Sequence, residues 1–409
     1  MNKYIKIINY ICSEEMISVE EAKDLIVKYG TKLPIKEKSL NEAQNAVLAE
    51  DVLAPINLPP FRQSAMDGYA VNLSPKSDHY TIIGEVAAGE SNSQELKIGE
   101  GVRIFTGAAV PDSANAVIMQ EWVTKKANHI VLNSNAKELK NNMNIRPLGE
   151  QVQKGTLALS KGIQLNSSAL GFIQSFGMEQ IKVYKSPSIS LIITGNEIVL
   201  PGNSLPFGSI YESNSLTLKT ALNNAGYNDI TINYAQDNLD EMKQKIERAM
   251  NTSDVVLVSG GISVGDYDFT KTAFEILEVK EHFHKIAQKP GKPLFFGSKE
   301  STSFFGLPGN PASALVCLYE YVIPHMLYRT GAQNPMPTTI QLPLKHDYLK
   351  RGERSQFLKA KINANNVEIL DGQASSMLHT FALANCLVYI PSNLTSISKG
   401  EFVEVHLIR

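Results

Sequence analysis

The stretch 255-VVLVSGGISVGDYD-268 decides how the middle of the chain is read. Val255 to Ser259 form a short, continuous apolar run closed by glycines, the pattern of a strand buried on both faces. The glycine-rich turn after this run has two readings. Gly261-Ile262-Ser263-Val264-Gly265 fits G-x-S-x-G, the sharp strand-to-helix turn that exposes a nucleophilic serine. Equally, Gly260 and Gly261 let backbone N–H groups turn inward as an anion nest, with the carboxylates of Asp266 and Asp268 just behind. The first reading predicts a serine hydrolase, the second a site for a phosphorylated ligand.

Working outward, the same texture repeats on both sides. The apolar run 189-ISLIIT-194 precedes a segment with Leu218, Ala221, Leu222 and Ala225 at helical spacing. The run 230-ITINYA-235 precedes Leu239, Met242, Ile246 and Ala249 at the same spacing. A third helix is expected over 269–277, then two further apolar runs, then Asn310-Pro311 as cap and first-turn proline of a long apolar helix. Alternating strands and helices over 187–333 predict a doubly wound α/β domain with a parallel or mixed sheet, which places ligands at the carboxyl ends of its strands.

The flanks differ. Ser18 and Glu21 form a capping box for a helix over 18–29 that stops at Gly30, and Ser39 with Glu42 repeats the signature for a second helix ending near Leu48. Another helix is expected over 167–176, closed by Gly177. Segments 1–50 and 152–186 are therefore assigned to an elongated helical linker domain. Between them, 51–151 carries short β-rich runs (80–89, 102–107, 116–123, 129–133) separated by turn residues, which reads as a β-rich inserted domain. After the linker 334-NPMPTT-339, short strands such as 356–362, 386–390 and 401–405 predict a small all-β C-terminal barrel over 334–409. The fold class is thus α/β multidomain.

Composition narrows the function classes. The 409 residues carry 43% hydrophobic and 20% charged residues, with a formal net charge of −2. That balance offers no electrostatic footprint for nucleic acid. No stretch approaches the roughly 18 apolar residues that span a bilayer. The N-terminal 4-YIKIINYIC-12 has no cleavage site after it, so a signal peptide is not expected. Three scattered cysteines (Cys12, Cys317, Cys386) suit neither a disulfide framework nor a zinc cluster; they read as buried filler in a reducing cytoplasm.

The loops after the expected strands share one chemistry. They are 194-TGNE-197, 259-SGGISVGDYD-268 and 306-GLPGNP-311, rich in Gly or Pro, with Glu197, Asp266 and Asp268 among them. Nearby, 285-KIAQKPGKP-293 supplies Lys285, Lys289 and Lys292. Lysines offer point charges to phosphate, and carboxylates at the same mouth can hold a Mg²⁺ that bridges phosphate oxygens. A hydrolase would instead need an Asp and then a His downstream and an oxyanion loop upstream, and no such loop appears. His282 and His284 alternate on an expected edge strand and lack a third ligand, so zinc is not favoured. The spacing of 289-KPGKP-293 does not make a P-loop. The β-rich region adds a second polar cluster, with Asp67 in 59-PPFRQSAMDGYAV-71, Thr106 in 105-FTGA-108, and 145-IRPLGEQV-152.

Taken in order, PPFRQSAMDGYAV, FTGAAVPDSANAVIMQE, NIRPLGE, TGNEI, GGISVGDYDFTK, KPGKP and GLPGNPASA resemble the molybdopterin molybdenumtransferase (MoeA) family, and also the C-terminal half of gephyrin. The resemblance runs from about Met16 to the end of the chain. It implies a doubly wound sheet of the molybdopterin-binding type, and the last step of molybdenum cofactor biosynthesis. In that step molybdenum from molybdate enters adenylylated molybdopterin, AMP is released, and Mg²⁺ is required.

The resemblance also implies a cytoplasmic homodimer whose site is shared between subunits, with the adenylyltransferase acting upstream as a candidate partner. By motif, Asp67 and Thr106 are the dimer partner's contribution. Glu197, Asp237 and Asp268 surround the metal and the pyrophosphate. Lys285 and Lys289 meet the anions with Arg146, and Pro308 and Pro311 shape the pterin-side loop. Ser263 becomes a turn residue beside Gly260 and Gly261, and Arg354 and Ser375 match positions near the molybdate pocket. The chain departs from the family pattern at Arg62-Gln63, where Asp-Asn is usual, at Gln151 in place of an acid, and at Asn196 in place of an aspartate. Alternatives of other classes are a non-catalytic molybdopterin-binding scaffold and a molybdopterin adenylyltransferase, although the latter lack the β insertion and the barrel.

Overall fold

Val255–Ser259 is a central strand of a six-stranded sheet whose parallel part accounts for the apolar runs of the sequence. The strands are β1 (Ile189–Thr194), β2 (Ile230–Ala235), β3 (Val255–Ser259), β4 (Lys280–His284), β5 (Phe295–Lys299) and β6 (Thr302–Leu307). Their spatial order is β2-β1-β3-β6-β5-β4. The first four run parallel, and β5 and β4 are added antiparallel, so the sheet is mixed. The computed structural model describes residues 16–75, 77–90, 94–262 and 269–408.

The period-2 geometry of the strands divides their side chains between two cores. Leu191, Ile193, Val255, Leu257, Phe296 and Phe305 face one core, and Ile192, Val256, Val258, Phe295 and Phe304 face the other. Helices α1 (Val19–Lys28), α2 (Asn214–Asn224), α5 (Pro311–Cys317) and α6 (Ile323–Arg329) contribute to the first. Helices α3 (Leu239–Met250) and α4 (Phe269–Ile276) cover the second. Burial on both faces is why alternation is absent from β1, β3 and β6 in the sequence.

Helix α1 begins with the expected capping box. Ser18 Oγ accepts from Glu21 N–H at 3.0 Å, and Glu21 Oε2 accepts from Ser18 N–H at 2.8 Å. The second expected helix does not form. Ile35–Ser39 is a strand paired antiparallel with Gln180–Tyr184, and Leu40–Glu42 is a single 3₁₀ turn. Ser39 makes no side-chain cap bond, and Asn45 adopts φ +62°, which a continuing helix would not allow. The long apolar helix after Asn310 runs as α5, a π-helical segment Leu318–Val322 and α6.

The C-terminal module joins strands Thr339–Pro343, Ser355–Asn363, Asn366–Ile369, Cys386–Ile390 and Phe402–Leu407, and a parallel bridge from Leu344 to Val367 links the two ends of the curled sheet. Leu358, Val388, Ile390 and Val405 fill its interior. It is not all-β, because Leu378–Leu383 forms a short helix. Gln288–Lys289 adds a parallel strand beside Ser355–Gln356.

By contacts the chain separates into two compact units. One comprises Met1–Ala49, Gly162–Ser167 and Gln180–Arg409; the other comprises Glu50–Lys161 and Ser168–Glu179. The second unit has its own six-stranded sheet, in the order Ala116–Met119, Gly68–Val71, Glu100–Ile104, His79–Val86, His129–Leu132, Val123–Lys126. The single strand expected over 116–123 is interrupted by a 3₁₀ turn at Gln120–Trp122. Helix Ser167–Gln174 follows the β-rich region as expected. Among the described residues no helix is long and apolar enough to cross a membrane. Cys317 and Cys386 are buried thiols, and Cys12 lies outside the described residues.

Candidate functional site

The loops leaving β1, β2, β3 and β6 surround a cavity of about 490 Å³ at the carboxyl ends of the strands. A doubly wound sheet opens such a crevice because its connections there diverge to opposite faces. Glu197, Asp237, Gly260, Gly261, Pro308 and Pro311 line it together, from four separate parts of the sequence. Ser263 and Asp268 lie outside the described residues.

Asp237 is held by Thr194, the last residue of β1, and by Asn196 on the loop that follows. Thr194 Oγ1 donates to Asp237 Oδ1 at 2.6 Å, and the N–H of Asn196 donates to Asp237 Oδ2 at 3.3 Å. In return Asn196 Oδ1 accepts the N–H of Asp237 at 3.0 Å. The asparagine thus provides the acceptor that an aspartate would provide, without adding a negative charge beside Asp237. Glu197 is exposed at the same rim.

The turn after β3 is shaped for close backbone approach. Gly260 has φ +108°, and a Cβ there would lie 2.3 Å from the carbonyl oxygen of Thr194. Only glycine fits. The first turn of α4 is tied to this glycine turn, since Thr270 Oγ1 donates to the Gly260 carbonyl at 3.1 Å.

On the β6 side, the side chain of Asn310 turns away from capping α5 and donates to Ser375 Oγ at 3.1 Å. Ser376, next to it, lines the cavity. The segment bearing both serines is held by Lys359, whose Nζ donates to the carbonyls of Gly372, Ala374 and Met377 at 2.7, 3.2 and 3.0 Å. Burial pushes the Lys359 ammonium down to about 8.

The other predicted residues fall elsewhere. Lys285 is buried with φ +72° and is not part of the cavity wall; burial, then Lys292, lowers its pKa. Lys289 lines a second cavity of about 310 Å³ with Arg351 and Gln356. Arg354 donates to the Gln288 carbonyl at 3.1 Å. His282 and His284 do stand on the edge strand β4, where burial pushes both imidazoles down to about 4.

In the β-rich unit, Asp67 and Thr106 meet. Thr106 donates its N–H and its hydroxyl to Asp67 Oδ1, both at 2.8 Å. These bonds, the backbone one first, hold the carboxyl below its ordinary range. Arg146 pairs with Gln63 in a short antiparallel ladder. Arg62 is spent on carbonyls of its own unit, donating to Ala114 at 2.6 Å and Asp112 at 3.3 Å. Gln151 is exposed, and its N–H donates to the Leu58 carbonyl at 2.8 Å.

Asn214 and Glu212 also line the cavity and were not singled out in the sequence. The segment 211-YESNS-215 reads as an ordinary helix start, so nothing local marks either as a site residue.

The residues fit Mg²⁺ by donor type, since Asp237 and Glu197 offer hard carboxylate oxygens and Mg²⁺ is commonly held by one or two carboxylates plus substrate phosphates. Among the described residues no group of three or more His, Cys, Asp or Glu side chains forms a complete metal cage.

These features define a multidomain α/β protein whose ligand cavity opens at the carboxyl ends of a doubly wound sheet. Family models match in sequence: the MoeA N-terminal region (domain I and II) over 17–177, a probable molybdopterin binding domain over 190–328, and the MoeA C-terminal region (domain IV) over 341–408. The molybdopterin molybdenumtransferase of Haemophilus influenzae is 35% identical over 400 residues, 95% of this chain and 98% of that protein. That of Staphylococcus aureus strain MRSA252 is 29% identical, covering 96% of this chain and 95% of its own. The molybdopterin biosynthesis moeA protein of Pyrococcus horikoshii superposes with a TM-score of 0.81 at 26% identity, over 96% of this chain and 100% of that one. A further Pyrococcus moeA structure superposes at 0.77 with 32% identity, over 97% and 100%. The chain belongs to the molybdopterin molybdenumtransferase (MoeA) family and is an enzyme of the transferase class.

Proposed function

We propose that this enzyme inserts molybdenum from molybdate into the dithiolene of adenylylated molybdopterin, with cleavage of the pyrophosphate link and release of AMP. Family membership places the chain in molybdenum cofactor biosynthesis. The observation that carries the finer reading is the cavity itself. One part of the wall is a glycine turn whose backbone can approach an anion closely, and Thr194, which abuts that turn, also holds Asp237 in a fixed orientation on the same wall as Glu197.

In this reading Gly260 and Gly261 give their turn to the substrate's phosphates, as backbone N–H nests do. Pro308 and Pro311 shape the pterin side, with Ser263 as a turn residue. Asp237, Glu197 and Asp268 would hold Mg²⁺, which when bound neutralises charge on the pyrophosphate oxygens. The Thr194 and Asn196 bonds orient Asp237 before substrate arrives, so less ordering is left to binding. Lys285, Lys289 and Arg146, none of which lines the 490 Å³ cavity, are assigned to anionic groups of the substrates outside it, and Arg354 and Ser375 to the molybdate side.

The enzyme acts in the cytoplasm as a homodimer, in which the partner subunit's Asp67 and the partner subunit's Thr106 complete the site. An adenylyltransferase supplies the substrate. AMP release from adenylylated molybdopterin, followed with and without molybdate, tests this reading.

A further inference from the structure

We propose that Lys359, together with Gln373, is a positioning residue of the reaction: the pair clamps the 372–377 loop in the shape that sets Ser375 for molybdate. The inference rests on the proposed placement of Ser375 on the molybdate side and adds to it the groups that fix that serine.

Residues 371–377 form neither helix nor strand, so no backbone ladder sets their path. Lys359, on the strand Ser355–Asn363, is 2% exposed. Its three ammonium hydrogens go to three carbonyls of this one loop, those of Gly372, Ala374 and Met377, at 2.7, 3.2 and 3.0 Å. These carbonyls bracket Ser375 and Ser376. Gln373 completes the clamp from the loop side. Its Oε1 accepts the N–H of Lys359 at 3.0 Å, and its Nε2 donates to the carbonyls of Lys359 and Leu370 at 2.8 and 2.7 Å. An ammonium taken out of water is costly unless its N–H groups find acceptors. The loop therefore cannot swing away without stripping the buried charge of its partners. An apolar side chain of similar length would fill the same space and orient nothing.

The loop meets the cavity at two points. Ser376 is exposed and lines it, and Asn310, another wall residue, donates its Nδ2 to Ser375 Oγ at 3.1 Å. Because Ser375 Oγ accepts that bond, its own O–H is left to donate. Molybdate oxygens are acceptors at neutral pH, so a hydroxyl donor suits them. Asn310 thus orients the side chain of Ser375, and the clamp orients the backbone that carries it. Lys359 does not touch the ligand; it acts through the loop.

The test measures molybdate binding to the full-length protein by calorimetry, for wild type, Lys359→Met, Ser375→Ala and the double variant. Each single variant is expected to bind molybdate about tenfold more weakly at unchanged stoichiometry, the scale of one hydrogen bond to a charged group. The double variant should be at most about threefold weaker than either single one, because both changes remove the same contact. A merely destabilised protein would lose binding sites rather than affinity. Lost stoichiometry at unchanged affinity in Lys359→Met, or single losses that multiply to about a hundredfold in the double variant, overturns the clamp. Weaker binding by Ser375→Ala with wild-type affinity in Lys359→Met overturns the clamp alone. An unaffected Ser375→Ala, or a wild-type protein that does not bind molybdate, overturns the placement of Ser375 and the inference with it. If Lys359→Met does not fold, Gln373→Ala takes its place in the same cycle, with the same result expected and the same results overturning the clamp.

Discussion

Thr106 donates both its backbone N–H and its hydroxyl to the same oxygen of Asp67, each at 2.8 Å. Two donors on one oxygen stabilise the charged carboxylate and hold its pKa below the ordinary aspartate value. A carboxylate fixed in this way is poised as an acceptor or metal-side anion rather than as a proton donor. Asp67→Asn should leave the fold intact, since the group is exposed, and abolish AMP release. Thr106→Val keeps the N–H bond and loses the hydroxyl, so the Asp67 carboxyl should titrate closer to the ordinary value, as NMR titration would show. Full activity in Asp67→Asn would remove this residue from the reaction.

Asn196 replaces an expected acid yet keeps the acceptor toward the Asp237 N–H. Asn196→Asp should preserve that bond and add a negative charge next to Asp237. The expected outcome is a several-fold lower Mg²⁺ concentration for half-maximal AMP release, measured by Mg²⁺ titration. An unchanged Mg²⁺ requirement would show that this position is remote from the metal.

Gly260 has no room for a side chain, its Cβ position lying 2.3 Å from the Thr194 oxygen with φ at +108°. Gly260→Ala should cost about 1–3 kcal/mol in urea unfolding and displace the turn proposed to meet the anion. Activity should fall further than stability alone explains. A variant with wild-type stability and turnover would refute the close-approach argument.

Asp254 ties the strand β3 start to the segment before β1. Its Oδ2 accepts from Lys185 Nζ at 2.6 Å and from Ser188 N–H and Oγ at 2.8 and 2.9 Å. Burial pushes the carboxyl up, but the Lys185 and Ser188 donors outweigh it and the net shift is downward. The folded pKa is then below the unfolded one, so this stabilisation is fully present above the unfolded aspartate value of 3.8 and is lost as pH falls through the folded value. Asp254→Ala should cost about 2 kcal/mol at neutral pH, the scale of hydrogen bonds to a charged group, and the gap to wild type should close only below pH 3.8. A gap that stays constant into strong acid would contradict this.

The parallel strands were legible because burial on both faces leaves continuous apolar runs, as in Ile189–Thr194 and Val255–Ser259. The carboxyl-end loops followed from that, and with them Glu197, Gly260, Gly261, Pro308 and Pro311. Local signatures misled where tertiary pairing overrode them: Ser39 and Glu42 look like a helix start, but Ile35–Ser39 pairs with Gln180–Tyr184 and draws the chain into a strand. The short helix Leu378–Leu383 was hidden in a β-rich module because six residues carry too little periodicity. Asn214 could not be read at all. Its side chain is anchored on Ser259 and Gly309, 45 and 95 residues away, which only the folded chain brings to it.

In the proposed reaction one protein couples molybdate to cleavage of the adenylylated pterin. The most direct measurement is AMP release by the purified protein from adenylylated molybdopterin with Mg²⁺, with and without molybdate. Release that requires molybdate is the predicted result. Retention of intact, bound nucleotide whether or not molybdate is added would contradict it, and would point to a pterin-binding scaffold in which the missing acids at Asn196 and Gln151 disable turnover.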